Sequence, residues 1–415
     1  MTWSRLDLGV GLIVVPGLDL IWDEIGDLVD VVEVEPQTMW RPRQAGGWDI
    51  ITKAFDWVAG LPVPRLVHGI GFPVGGCEPP DPAGVALTAA CASRLGAAHW
   101  SEHLSFSQAA VAGRRTEGGF LLPPAQTPAG VEAAVAHIAA YQAAAKLPFG
   151  VETGVNYLRP RDGELSDGAF VAAVAGQADC GILLDLHNLL ANERNGRQPV
   201  RDVLAELPLE RVLEVHVAGG VELGGYYLDA HVGGPDDELL ALTAAVLPRL
   251  PSVRAVMFEV VPESLAVLGA AGMRGVLTEL HRICDGSPSA VVADGPRQRP
   301  EVRVEPASPE QRRAARDWES ALVGYTSRAR DDRPADDPGL DLLRELADAA
   351  RLGELTVARS DQLTPLIREH GLVATKRLLH RYLGACPPQR WRADEAAQFD
   401  AWLAATLPAL GPAQW

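Results

Sequence analysis

Cysteine is scarce in this chain and poorly spaced for two common roles. Cys77, Cys91, Cys180, Cys284 and Cys386 are the only five in 415 residues, an odd and widely separated set with no C-x-x-C pair. That argues against a disulfide framework and a thiolate zinc site, and it predicts a reducing, cytoplasmic setting. No uninterrupted apolar run reaches transmembrane length. The segment Met1-Thr-Trp-Ser-Arg-Leu-Asp7 also lacks a basic region leading into an apolar core and a small-residue cleavage site. A soluble, unexported protein with no membrane contact is therefore expected. Net positive charge is missing as well: at a formal charge of -17 most of the surface would repel a phosphate backbone, so no nucleic acid partner is expected. No G-x-G-x-x-G follows the first candidate strand, which weakens a doubly wound, dinucleotide-binding sheet without removing an open sheet altogether.

What is present is enough apolar sequence, 47%, to bury a large core. Short runs rich in Val, Ile and Leu recur with room for a helix between most pairs, the rhythm of a parallel α/β fold. The candidate strands are Leu8 to Val15, Val29 to Glu35, Arg65 to Gly69, Ala98 to His103, Phe149 to Glu152, Gly181 to Asp185, Arg211 to His216 and Arg254 to Glu259. Eight of them predict a (βα)8 TIM-like barrel over residues 1–285. Candidate helices between them include Ala83 to Leu95, Val131 to Lys146, Asp167 to Ala178 and Leu239 to Pro248. Composition then shifts. Residues 286–339 read as a linker with one helix, Pro309 to Val323, and with an exposed stretch from Thr326 to Gly339. Residues 340–415 read as a separate C-terminal all-helical appendage, with Ser360 as an N-cap.

The chemistry is concentrated where the strands end. Gly181-Ile-Leu-Leu-Asp-Leu-His-Asn188 is a buried strand that delivers Asp185, His187 and Asn188 together. Buried polar groups of this kind are hydrogen-bonded or bound to something charged. The pattern recurs: Glu33 and Glu35, His68, Glu102 and His103, Glu152, His216 and Glu259 close other strands, and Asp229 and His231 follow the seventh. In a closed barrel these ends converge on one mouth. Imidazoles and carboxylates packed there call for cations, and a thiolate-free mixture suits iron, manganese or zinc. The donors exceed the needs of one ion, so two or three are expected. Strand order divides them into a His68, His103 and Glu152 cluster and an Asp185 and His216 cluster, with Glu152 between. Glu33 and Glu35 share a strand face and can instead orient ligands or substrate. His99-Trp-Ser-Glu-His103 matches H-x-x-E-H, a zinc-peptidase pattern that works only on a helix. Gly96 just before it and Trp100 and Phe106 around it favour a strand.

His68-Gly-Ile-Gly, Ser101-Glu-His-Leu104, Val151-Glu152 with Asn156-Tyr-Leu158, Leu183-Leu-Asp-Leu-His-Asn188, Glu214-Val-His-Val-Ala-Gly219, Asp229-Ala-His231 and Phe258-Glu259 occur in an order and spacing that resembles the multinuclear non-haem iron-dependent oxidative enzymes, the group of the methanobactin-maturing oxidase. The resemblance covers about residues 5 to 285. It implies a barrel holding two or three irons of mixed Fe2+ and Fe3+ state. It also implies dioxygen as co-substrate and a ribosomally made precursor peptide whose residue, often cysteine, is rearranged. Carried over by position, it implies His68, His103, Glu152, Asp185, Asn188, His216, Asp229, His231 and Glu259 as metal ligands. Glu152, Asp185 and His216 are then the catalytic core, and Glu33, Glu35, Asn156 and His187 lie toward substrate. The chain departs from the family pattern at Thr153 and His187, where Asn is usual, and at Gly71-Phe-Pro-Val-Gly-Gly76 in place of Ser-Leu-Gly.

Members of the family commonly rely on a small partner protein that presents the precursor's leader. The segment Arg368 to Arg392 carries Arg368, Lys376, Arg377, Arg381, Arg390 and Arg392 against the single acid Glu369, so the tail itself is a candidate leader-binding element through Arg377 and Arg381. A solvated face that stabilises the barrel is the plainer reading of the same charges. Two rivals to the oxidase share the mouth: a metal-dependent sugar isomerase or phosphodiesterase, and a non-enzymatic, metal-dependent peptide-binding scaffold.

Overall fold

The computed structural model describes residues 5–42, 48–287 and 302–409. Eight parallel strands close a barrel in the order β1 (Gly9–Ile13), β2 (Val31–Val34), β5 (Arg65–Gly69), β6 (Trp100–His103), β9 (Phe149–Glu152), β10 (Gly181–Asp185), β11 (Val212–Ala218) and β14 (Ala255–Glu259), the last pairing back to β1. All eight expected strands are present, and the open-sheet alternative falls. Around them run α1 (Trp22–Ile25), α2 (Thr52–Gly60), α3 (Pro82–Leu95), α4 (Pro128–Ala144), α5 (Asp167–Ala178), α6 (Leu186–Arg194), α7 (Val200–Glu206), α8 (Asp237–Val246) and α9 (Pro262–Asp285). Helix starts are set by local chemistry: the side chains of Asp81, Thr127, Asp185 and Asp236 accept backbone N–H groups of the first turns of α3, α4, α6 and α8.

The strand period of two sorts each strand into an outer and an inner face. Val10, Leu12, Val32, Val34, Val67, Trp100, Val151, Ile182, Leu184, Val215 and Val256 point outward into the main core against the helices. There Trp100 meets Tyr141 and Phe149 at ring-centroid distances of 5.2 and 5.3 Å. Each fully buried side chain of this size stabilises the fold by about 1.5–3 kcal/mol. Inside the barrel, Leu8, Val31, Leu66, Ala255 and Met257 form an apolar plug at the N-terminal end. Gly11 makes room for it, since a Cβ there would fall 2.1 Å from the Val31 carbonyl and 2.9 Å from Met257. Above that plug the inward positions turn polar, and this layer is the candidate site.

Three antiparallel hairpins that the sequence pattern did not reveal decorate the mouth: β3 (Trp40–Pro42) with β4 (Trp48–Ile50), β7 (Phe106–Val111) with β8 (Arg114–Leu122), and β12 (Gly220–Leu223) with β13 (Tyr226–Asp229). The C-terminal helices are α10 (Pro309–Thr326), α11 (Gly339–Ala358), α12 (Ser360–His370), α13 (Leu372–Ala385) and α14 (Arg392–Thr406). Leu355, Leu363, Leu378, Tyr382, Phe399 and Leu403 give the last four a core of their own. Helices α10 and α11, by contrast, share a core with the β7–β8 hairpin through Phe106, Leu122, Leu322, Val323, Leu340 and Leu343. Trp391 joins Trp40, Trp48 and Phe72 at centroid distances of 6.0, 4.3 and 5.9 Å, seating the tail on the loops after β2 and β5.

Two expectations need correction. The stretch from Thr326 to Gly339 is not an exposed linker throughout: Thr326, Ser327 and Asp337 are buried, and Asp337 accepts from the backbone N–H groups of Arg159 and Gly339. Asp337 thus serves backbone satisfaction, whereas Arg330, Asp331, Asp332, Arg333 and Asp336 are exposed as expected. Ser360 is the first residue of α12, and the N-cap position belongs to Arg359, whose own N–H still bonds the end of α11 at Leu355. Residues 288–301 of the Ser287 to Pro309 stretch lie outside the described residues.

Glu319 on α10 pins that helix to the barrel loop after β5. Its Oε2 accepts from the Cys77 backbone N–H at 2.7 Å while Oε1 has no partner, and burial pushes its carboxyl up to about 7 from 4.5. Below pH 4.5 both the folded and unfolded states hold the proton, and the contribution to stability is fully present. Between 4.5 and 7 the unfolded chain ionises first, so stability falls by about 1.4 kcal/mol per pH unit from this group. Urea midpoints of wild type and Glu319→Gln across pH 4.5 to 8 are expected to diverge in favour of the variant as pH rises. A constant difference would contradict this assignment.

Candidate metal centre

Three overlapping groups of donors line the C-terminal mouth. In the first, His68 Nε2 and His103 Nε2 lie 3.2 and 3.0 Å from Glu152 Oε2. Their other nitrogens are fixed from behind: His68 Nδ1 lies 2.8 Å from the Ser101 hydroxyl, and His103 Nδ1 lies 2.9 Å from the Gly69 carbonyl. With Nδ1–H donating to a carbonyl, the Nε2 lone pair of His103 faces the cluster. In the second group, donor atoms of Glu152, Asp185, His216 and Glu259 lie within 4.8 Å of one another. His216 Nδ1 is 3.1 Å from Glu259 Oε1, and its Nε2 is 3.0 Å from Glu33 Oε1. Asp185 divides its oxygens: Oδ1 caps α6 by accepting from Asn188 N–H at 2.8 Å, and Oδ2 has no partner. Thr153 Oγ1 accepts from the Asp185 N–H at 2.9 Å, so the residue standing where Asn is usual holds the end of β10 in place. The third group gathers around His231, whose Nε2 lies 2.9 Å from Asp229 Oδ1 and 3.3 Å from Glu259 Oε2. His231 holds a φ of 51°, an uncommon backbone state of the kind stored at functional sites.

Glu152 is thus shared between the first and second groups, and Glu259 between the second and third. The shared role of Glu152 was expected from strand order. That of Glu259 was not, because nothing in a linear pattern says that the two oxygens of one carboxylate face two neighbours. Glu214 was also missed as a site residue, although it sits two positions before His216 and so on the same face. With Glu33 and His99 it forms the floor of the mouth, His99 Nε2 lying 2.9 Å from Glu214 Oε2. His99 precedes strand β6, which carries His103, so H-x-x-E-H here lies outside any helix and the peptidase pattern is excluded. Glu102 points outward, accepting from the Tyr141 hydroxyl at 3.0 Å and the Phe72 N–H at 3.3 Å. Glu35 is half-buried, above Glu33. The side-chain oxygen of Asn156 is committed to the Leu158 N–H at 2.9 Å within the loop after β9. Arg377 and Arg381 stand exposed on α13, away from the barrel strands in sequence and on a different element.

The electrostatics show what this packing requires. Burial, reinforced by the charges of Glu259, Asp229 and Glu152, drives the Asp185 carboxyl well above the usual range. Burial and Glu214 push Glu33 up to about 7. Burial also opposes ionisation of Glu152, yet the charges of His103 and His68 overturn it and hold the group at about 2. His103 is correspondingly raised to about 10, its carboxylate neighbours Glu152 and Glu102 outweighing burial. Protons are doing the work of cations here. Buried atoms without a hydrogen-bond partner include His68 Nε2, Glu152 Oε2, Asp185 Oδ2, Asn188 Oδ1, Asp229 Oδ1 and Glu259 Oε2. Native interiors rarely leave such atoms unsatisfied, and their convergence from different strands fits bound metal.

Fold and site together define a TIM-type barrel with a histidine and carboxylate mouth suited to more than one metal ion. Residues 21–263 match the family described as RiPP precursor modification enzyme MbnB/TglH/ChrH, and the chain belongs to that family, whose enzymes act on ribosomally made peptides. It is similar to a UPF0276 protein of Streptomyces avermitilis, 30% identical over 185 residues that make up 44% of this chain and 38% of that relative. It is also similar to the UPF0276 protein NMB2142 of Neisseria meningitidis, 31% identical over 50% of this chain and 72% of that protein. Endonuclease IV from Thermus thermophilus superposes with a TM-score of 0.43 at 18% identity, over 66% of this chain and 98% of that one. No helix among the described residues is long and apolar enough to cross a membrane.

Proposed function

We propose that this protein is a multinuclear iron, dioxygen-dependent oxidase that modifies a residue, cysteine by preference, of a ribosomally made precursor peptide. The observation that carries the reading is the pair of donor clusters joined through Glu152, extended through Glu259 to His231 and Asp229 by contacts of 3.3 and 2.9 Å and free of thiolate, in a chain of a peptide-modifying family. His68, His103 and Glu152 would hold one ion, Glu152, Asp185, His216 and Glu259 a second, and Asn188, Asp229, His231 and Glu259 a third. Bound there, iron supplies redox chemistry and open coordination positions for a substrate group and dioxygen.

The chain's own residues set direction and access. Asp185, His216 and Glu33 are fully enclosed, whereas the side chains of His103, Asp229 and His231 are 19%, 17% and 28% exposed, so a peptide approaches over these three. Glu33 Oε1 stands 3.0 Å from His216 Nε2 beneath the site, and His216 Nδ1 is directed at the second group, 3.1 Å from Glu259 Oε1. The apolar plug below keeps bulk water from the other end of the barrel. Oxygen consumption by iron-loaded full-length protein with a Cys-containing precursor peptide, compared with the same mixture under argon, tests the reading. Turnover that proceeds equally under argon would replace it.

The tail is proposed to recruit the leader of that peptide. Its supports are the exposed Arg377 and Arg381 on α13 of a strongly acidic protein, and the seating of Trp391 on the loops after β2 and β5. Arg390 lies apart from that exposed pair, since it pairs with Glu117 at 3.2 Å and bonds Gln108. Reversing Arg377 and Arg381 to Glu is expected to weaken peptide binding by roughly 1–3 kcal/mol at low salt, with metal content intact. A titration giving unchanged affinity would remove the tail from recognition.

A further inference from the structure

His187 is fully buried, and neither of its ring nitrogens makes a hydrogen bond. Buried imidazoles left in this state are rare and point to an unrecorded partner. The residue lies on the first turn of α6 between Asp185, whose side chain caps that helix, and Asn188, whose Oδ1 is likewise buried and unpartnered. Its Nδ1 is 3.7 Å from Asp229 Oδ1, the oxygen that lies 2.9 Å from His231 Nε2. At 3.7 Å the contact is too long for a hydrogen bond. It does suit two ligands of one ion, because atoms each about 2.1 Å from a common metal stand up to about 4.2 Å apart.

The rest of the ring is closed off. A Cβ at Gly220 would fall 2.6 Å from His187 Nε2, and the Tyr227 ring stands edge-on at 5.4 Å and 75°. Glycine at 220 is therefore what allows the β12 strand to pass behind the imidazole, and Nδ1 is the nitrogen left facing the cluster.

We propose that His187 Nδ1 is a ligand of the third position, which then carries two imidazoles, His187 and His231, beside Asp229, Glu259 and Asn188. The proposal rests on the reading that the mouth holds three ions. It gives this chain a more nitrogen-rich third position than His231 alone provides.

The test uses the full chain reconstituted anaerobically with ferrous iron, as wild type, His187→Ala, His187→Asn and Asp229→Ala. Iron per chain is measured by elemental analysis before and during challenge with a chelator, and the nitrogen shell by X-ray absorption. Wild type is expected to hold three ions. Both His187 variants should release the third at least about tenfold faster, with the other two retained and the mean nitrogen count per iron lowered. The asparagine variant keeps the assay decisive should alanine fail to fold. Loss of the third ion in Asp229→Ala but wild-type retention and nitrogen count in both His187 variants would overturn the proposal while leaving the three-ion reading in place. A wild-type count of two, unchanged in Asp229→Ala, would overturn both.

Discussion

Protein carrying Glu152→Ala is expected to lose the ion held with His68 and His103, to hold the next one weakly, and to show no oxygen-dependent peptide modification. Glu152 is buried and its Oε2 lies 3.2 and 3.0 Å from two imidazoles, while its donor atoms also complete the group formed with Asp185, His216 and Glu259. Truncation removes one of three donors from the first group and one of four from the second. It also removes the negative charge that separates two neighbouring cations, whose repulsion is strong at this degree of burial. Mutation of groups that only orient ligands costs about 10–100-fold in metal affinity, and loss of a shared ligand should exceed that. Wild type grown in iron-rich medium should hold at least two irons per chain. Cys180→Ser and Cys284→Ser should leave them in place, since neither thiol belongs to any of the three groups. One zinc per chain in the wild type, or full iron content and activity in Glu152→Ala, would defeat the multinuclear reading.

Stripping the metal is expected to lower the melting temperature by roughly 5 °C for each ion, taking about 4 kcal/mol for an ion present at a thousand times its dissociation constant. The deficit should widen as pH rises. In the metal-free fold, Asp185 and Glu33 are raised and His103, His216 and His231 are raised, so each binds its proton more tightly than the unfolded chain does. That stability is fully present below the unfolded values and disappears as pH passes through the folded ones. For the histidines the window runs from 6.5 up to about 10 in the case of His103. Glu152, Glu214 and Glu259, held at about 2, contribute stability that is lost only on acidification and is flat across this range. Above pH 6.5 the apo protein therefore loses stability with every raised group, whereas metal binding, which displaces protons, strengthens. Calorimetric scans with and without chelator between pH 6.5 and 9 check the trend. A gap that stays constant or closes would mean that the mouth does not exchange protons for metal.

Much of the barrel was legible without coordinates. Runs such as Leu8 to Val15 and Gly181 to Asp185 are buried on both faces, and a polar residue at the end of such a run has few explanations. His68, His103, Glu152, Asp185, His216 and Glu259 were therefore visible as a set, and the structure brings them together. The hairpins were not legible, because Arg114 to Leu122 carries arginines, glycines and a glutamate in a strand paired on one edge only, with no buried face strong enough to show as a pattern.

By itself the sequence determined eight buried strands of a parallel α/β fold and the inward direction of most strand-end residues, since strand period is a local property; closure of the sheet and the outward turn of Glu102 were decided by the tertiary structure. Only the tertiary structure decided which atom of each donor faces which neighbour. It made Glu259 a second shared carboxylate, placed Glu214 and His99 beneath His216, and left Asn156 bound into its own loop. It also seated the C-terminal helices on the rim through Trp391 and Glu319. The His99–Glu214, Trp48–Trp391 and Cys77–Glu319 contacts join residues far apart in the chain, and their geometry is fixed by packing once the barrel has closed and is written in no single stretch of sequence.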